Sequence, residues 1–167
     1  PVHPDAGAKY VETITVDISN LTPRISVPSK PDNVVPVTEV KDVAVDSVFV
    51  GSCTNGRYED FVAVAEIVKG KKVAPGVMAR AVPATREIYG NLLADGIINT
   101  LYDSGFIVSN PGCGGCASGQ IGMTGSNEVQ VSTSNRNFKG KQGDGATYLA
   151  SPATAAASAL AGKIVTI

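Results

Sequence analysis

The sequence is poor in the residues most used for metal and redox chemistry: one histidine and three cysteines in 167 residues. A single imidazole, His3, cannot build a histidine-rich metal centre, and it lies in the Pro-Val-His-Pro start. Three thiols cannot all pair, which argues against a disulfide framework and for a reducing compartment, read here as cytoplasmic. No excess of either charge exists. Lys and Arg number 14 against 15 Asp and Glu, so the broad basic face of a nucleic-acid binder is missing. No apolar run approaches the roughly 20 residues of a membrane helix. The start carries neither an initiator Met nor a basic segment before an apolar core, so it does not read as a signal peptide. It reads as the start of a trimmed, processed or partial chain.

What the sequence does have is glycine and proline, 18 and 10 residues, concentrated in a few short loops. Val11–Ile18 (VETITVDI) alternates β-branched and polar residues and predicts a half-buried strand. Leu21–Val37 carries prolines at 23, 28, 31 and 36 and predicts an extended segment lying over a surface. Residues 1–42 are therefore read as a connecting segment with one strand, and 43–167 as the main domain.

From Asp46 onward strands alternate with helices. Strands are predicted at Ser47–Val50, Val77–Val82, Phe106–Ser109 and Val129–Thr133. Phe61, Val64, Ala65 and Val68 recur at helical spacing, with Gly70 as the stop. Thr85 is placed to cap a helix through Ile88, Leu92 and Leu93 that ends near Gly96, and Ile97–Tyr102 gives a short further helix. Ser151 followed by Pro152 opens a last helix that Gly162 closes, with Tyr148–Ala150 leading into it. This pattern predicts an α/β fold: a three-layer, doubly wound, mostly parallel sheet. In such sheets ligands bind beyond the carboxyl ends of the strands. Cys53 follows the first of these strands, and Cys113 and Cys116 follow the third.

One cysteine in a turn and a Cys-Gly-Gly-Cys in another leave several chemistries open: an iron–sulfur site, a zinc site, a redox pair or incidental thiols. Zinc lacks a fourth ligand close in sequence, and a redox pair needs no third thiol. Gly112, Gly114 and Gly115 leave backbone amides free to approach sulfur or an anion. Three thiolates on a cubane cluster would leave one iron open to substrate. The polar loop 135–145, with Asn135, Arg136, Lys139 and Lys141, offers cations and amides to a carboxylate ligand, although a solvated basic loop would look the same.

Three stretches resemble one family. Gly51-Ser52-Cys53-Thr54-Asn55-Gly56-Arg57-Tyr58-Glu59-Asp60 resembles the first cluster-ligand motif of the aconitase superfamily, and Pro111-Gly112-Cys113-Gly114-Gly115-Cys116 its second and third ligands. Ser134-Asn135-Arg136-Asn137-Phe138-Lys139-Gly140 is similar to its substrate-carboxylate loop, and the ending Tyr148–Ala157 is most similar to 3-isopropylmalate dehydratase and homoaconitase large subunits. Two positions depart from the pattern. Lys141 stands where many relatives have Arg, and Gly115 where many have Pro.

The resemblance implies a [4Fe-4S] cluster on Cys53, Cys113 and Cys116, with Asn135, Arg136 and Lys141 binding substrate. It implies reversible dehydration and rehydration of a small hydroxy-carboxylic acid, first of all isopropylmalate in leucine biosynthesis, with homoaconitate, dimethylmalate or citraconate chemistry as alternatives. It also implies partners: N-terminal domains of the large subunit, and a small subunit that carries the catalytic serine. No residue of this chain is assigned as the base. A reading of another class, a non-catalytic metal-binding or RNA-binding regulatory module, is disfavoured by the low net charge and the three retained cysteines.

Overall fold

A computed structural model describes residues 2–167. Its centre is a seven-stranded sheet with strands in the spatial order β2-β1-β7-β6-β3-β4-β5. These are β1 (Arg24–Ser26), β2 (Val34–Pro36), β3 (Ser47–Gly51), β4 (Met78–Val82), β5 (Ile107–Val108), β6 (Val129–Ser132) and β7 (Ala146–Leu149). The helices are α1 (Ser52–Asn55), α2 (Tyr58–Val68), α3 (Arg86–Ala94), α4 (Ile97–Ser104) and α5 (Pro152–Ala161). Strands β3 to β7 pair in parallel, while β1 and β2 form an antiparallel pair at one edge. The fold is thus α/β and mostly parallel, as the alternation of elements predicts.

Period-two alternation along the strands separates two faces. Val48 stands level with Ala79 and Val131, and these residues join one apolar core with Phe61, Val64 and Val68 of α2, Leu92 of α3, Leu101 of α4 and Ala155, Ala156 and Ala159 of α5. The alanines of α5 let its backbone lie close to the sheet. On the other face Phe49 stands level with Arg80 and Ser132. That face is covered by the β5–β6 crossover, which carries the 3-10 turn Gly114–Cys116. The chain therefore winds from β3 outward through β4 and β5, then returns to β6 and β7 on the other side. Its direction reverses between β3 and β6, which is the switch point of a doubly wound sheet.

The helix ends follow their capping residues. Thr85 accepts the Ile88 amide at the start of α3, and Ser151 accepts the Thr154 amide at the start of α5. Gly96 and Gly162 take left-handed conformations at helix ends, with φ of 70° at each.

The N-terminal region differs from expectation. Val11–Ile18 forms no strand, and Val11, Ile14, Val16 and Ile18 are exposed. An alternating pattern becomes a strand only when it pairs, and Val11–Ile18 pairs with neither edge strand of the sheet, β2 or β5. Leu21–Val37 is also more than an extended wrap. It folds into the β1–β2 hairpin, which joins the sheet through Ser26 opposite Leu149. Pro28 and Pro31 lie in the connection, where no ladder amide is needed. Strand β7 has no counterpart among the strands that the sequence pattern predicts.

Candidate active site

The site is built at the carboxyl ends of the two strands that flank the switch point. Strand β3 ends at Gly51, whose φ is 142° and where a side-chain carbon would stand 2.1 Å from the Val82 carbonyl oxygen. Only glycine permits that turn. It throws the chain into the single helical turn α1, which presents Cys53 to solvent. Ser52 takes φ 68° while fully buried, an uncommon conformation for a residue with a side chain. Helix α2 then starts, with the Asp60 carboxylate accepting the Arg57 amide at 3.1 Å. The Gly51–Asp60 motif is therefore a strand, a strained turn and a capped helix in series.

Thr133, just beyond β6, ties this turn to the neighbouring loop. Its hydroxyl accepts the Gly51 amide at 2.9 Å, and its carbonyl accepts the Asn55 side-chain amide at 2.6 Å. After Thr133 the chain runs into Asn135 and Arg136, both exposed, and Asn137, which is buried. Asn137 donates to Ser26 Oγ (3.2 Å), Val27 O (3.1 Å) and Thr147 O (3.1 Å). The N-terminal hairpin thus serves the site: it anchors the basic loop from below.

The second thiol turn follows β5. Its Gly112 amide donates to Pro83 O at 3.0 Å. Gly114, with φ 54°, lies on the Phe49 ring so closely that a side-chain carbon would stand 2.6 Å from it. At Gly115 the equivalent carbon would meet the Gly122 carbonyl oxygen at 2.7 Å, a tight backbone approach that favours glycine. Phe49, on the face opposite the helices, is the floor of this turn. Arg80 lies on the same face, and its Nη1 donates to Met123 O at 3.2 Å, holding the crossover. Burial lowers the Arg80 pKa, with Glu128 acting in the opposite sense.

All three thiols are free; Cys53 and Cys113 are exposed and Cys116 is half-buried. Helix α1 touches the 3-10 turn Gly114–Cys116, so the two thiol-bearing turns are neighbours although their strands are separated in the sequence. The basic loop reaches the same place: Arg136 Nη2 donates toward Cys116 Sγ at 3.7 Å, and Lys141 Nζ donates to Cys116 O at 2.6 Å. Asn135 lies at the rim, lining a groove with Arg24, Pro31 and Ser151. Among the described residues no three His, Cys, Asp or Glu side chains stand close enough to hold a single metal ion. A tetrahedral zinc site brings thiolates to about 4 Å from one another, given Zn–S bonds of about 2.3 Å. The three thiols lie free on adjoining glycine-rich turns, with Arg136 and Lys141 beside Cys116.

Thr133, Asn55, Asn137 and Phe49 are the contributors that pattern reading misses. Asn55 lies inside the first motif and Asn137 inside the third, and that placement is the signal the sequence offers.

An α/β sheet with thiols and a basic loop at its switch point defines a ligand-binding domain of the doubly wound class. Residues 1–162 match the aconitase family (aconitate hydratase), and the chain belongs to that family. It is 48% identical over 166 residues to a 3-isopropylmalate dehydratase large subunit of Methanopyrus kandleri, covering 98% of this chain and 40% of that protein. It is 48% identical over 167 residues to the homoaconitase large subunit of Thermus thermophilus, covering 99% of this chain and 40% of that protein. With the 3-isopropylmalate dehydratase large subunit of Citrifermentans bemidjiense the identity is 49% over 161 residues, 96% of this chain and 38% of that protein. The chain thus spans about two fifths of the length of these relatives.

Proposed function

We propose that this chain is the cluster-bearing part of a hydro-lyase large subunit that interconverts 3-isopropylmalate and 2-isopropylmalate in leucine biosynthesis, in the cytoplasm. The observation that carries the reading is the meeting of the Cys116 turn with Arg136 and Lys141 beside α1 and Cys53. Family membership and the names of the relatives support the reaction. Cys53, Cys113 and Cys116 are the residues that would hold a [4Fe-4S] cluster. When bound, that cluster supplies a Lewis acid to a substrate hydroxyl through the iron that no protein thiolate occupies.

The other roles belong to this chain's own side chains. Arg136 and Asn135 bind and orient the carboxylates of the substrate, and Lys141 adds positive charge to the same side. Thr133 keeps the Cys53 turn and the carboxylate loop in register. Dehydration also needs a positioned base, and no residue here is assigned to that task. The base is assigned to the small subunit, and the stretch before the β1–β2 hairpin is read as the connection to the remaining domains of the large subunit. Two carboxylates and a vicinal hydroxyl make the substrate class; nucleic acid and membrane are not part of the reading.

Anaerobic reconstitution with iron and sulfide tests it. Broad visible absorption with about four irons and four sulfides per chain is the expected result. Stoichiometric zinc without sulfide would replace this reading with a structural metal module. Dehydratase activity is expected only after the rest of the large subunit and the small subunit are supplied.

A further inference from the structure

The turn that carries Cys113 and Cys116 is short and glycine-rich, and it has little apolar surface with which to hold its shape. Its own bonds are the Cys116 amide to Cys113 O at 3.3 Å and the Ala117 amide to Gly114 O at 3.0 Å. The Cys116 carbonyl lies at the exit of this 3-10 turn, among the acceptors that a helix end cannot satisfy internally. Lys141 satisfies it. The ammonium donates to Cys116 O at 2.6 Å, in a part-buried contact between residues 25 apart in sequence. Arg136, earlier in the same loop, faces the sulfur of the same cysteine from an exposed position and at the longer distance of 3.7 Å. The two cations therefore have different duties. The guanidinium is loosely held and can turn to a ligand, whereas the ammonium is engaged with backbone.

We propose that Lys141 is a positioning residue for the third cluster thiolate: its bond to the Cys116 carbonyl fixes the turn from which Sγ projects. The inference rests on the cluster reading given above and deepens it. A lysine suits the task because a single carbonyl oxygen needs one donor and not a planar fork. In this role Lys141 acts on substrate only through its charge, and the paired contacts to carboxylate fall to Arg136.

The test compares Lys141→Met, which keeps the aliphatic stem and removes the donor, with Lys141→Arg, which restores a donor. Each chain is reconstituted anaerobically with iron and sulfide, then challenged with a chelator while the visible absorption is followed. Lys141→Met should lose its cluster at least about fivefold faster than the parent chain, and Lys141→Arg should stay within about twofold of it. Equal retention by Lys141→Met overturns the proposal. The metal-free chains give a second readout, the rate of alkylation of Cys116 relative to Cys113 in the same molecule, resolved by mass spectrometry. That ratio should rise severalfold in Lys141→Met, and an unchanged ratio overturns the contact. Should Lys141→Met fail to fold, Lys141→Leu, which likewise has no donor, takes its place with the same two readouts. If the parent chain takes up no cluster, the cluster reading falls, and the alkylation ratio still decides whether Lys141 holds the turn.

Discussion

The Asn55 side-chain amide donates to the Thr133 carbonyl oxygen at 2.6 Å, joining residues 78 apart in sequence. Together with the Gly51 amide bound to the Thr133 hydroxyl at 2.9 Å, it locks the loop after β3 to the loop after β6. Removing the hydroxyl with Thr133→Val leaves the buried Gly51 amide without its acceptor. The expected cost is about 1–3 kcal/mol, read as a lower urea midpoint. Thr133→Ser, which keeps the hydroxyl, should recover most of it. Equal midpoints for the parent chain and Thr133→Val would show that the lock is idle.

Gly114→Ala should be more damaging than its size suggests. The added carbon meets the Phe49 ring at 2.6 Å, on a backbone with φ of 54°. Overpacking of this kind costs about 1–3 kcal/mol, and the displaced turn should also lose iron uptake. In a Phe49→Leu background the clash is relieved, so the two substitutions should combine less than additively. Strict additivity in denaturation would place Gly114 away from that ring.

Arg136→Lys keeps the charge and removes the paired donors. In the fully assembled enzyme this should lower kcat/KM by about tenfold to a hundredfold, the worth of one charge-assisted hydrogen bond. Iron and sulfide content should be unchanged. Unaltered kinetics would make Arg136 an ordinary surface cation.

Acid should weaken one contact at the far end of the sheet. The hydrogen bond and charge of Lys163 hold the Asp42 carboxyl below its ordinary value of 3.8, against a small opposing effect of burial. A lowered folded-state pKa contributes stability that is present above pH 3.8 and is lost as the pH falls through the depressed value. Asp42→Asn tolerates the same left-handed backbone, φ 74°. Its stability deficit should be small because the pair is exposed, shrink with added salt, and vanish in strong acid. A deficit that persists in acid would assign the effect to backbone geometry.

The parts legible in the sequence are those whose causes are local. Helix α5 could be read from Ser151, Pro152 and Gly162, because a cap, a preset φ and a left-handed stop lie within one short stretch. Strand β3 and the three cysteines were legible for the same reason: an apolar run ends in a glycine turn that bears a thiol. Val11–Ile18 misled because alternation states a preference for an edge without saying whether one is present. The roles of Asn137 and Lys141 were hidden because their partners come from elsewhere in the chain. Asn137 bonds to Val27, 110 residues away, and no spacing rule connects them. Phe49 reads as one more core residue until the opposite face of its strand is seen to carry the thiol turn.

The uncovered run Val11–Ile18 has a colloidal consequence. It combines β-branched side chains with low charge and no proline, the composition of segments that stack into cross-β ladders. Glu12 and Asp17 interrupt it, and their like charges on neighbouring copies oppose such stacking. The Asp17 carboxyl is held below its ordinary value by its bonds to Ser19, so its charge persists further into acid than an ordinary Asp carboxylate would. Turbidity should therefore grow as pH falls through the carboxylate range, starting from this segment while the sheet behind it is still folded.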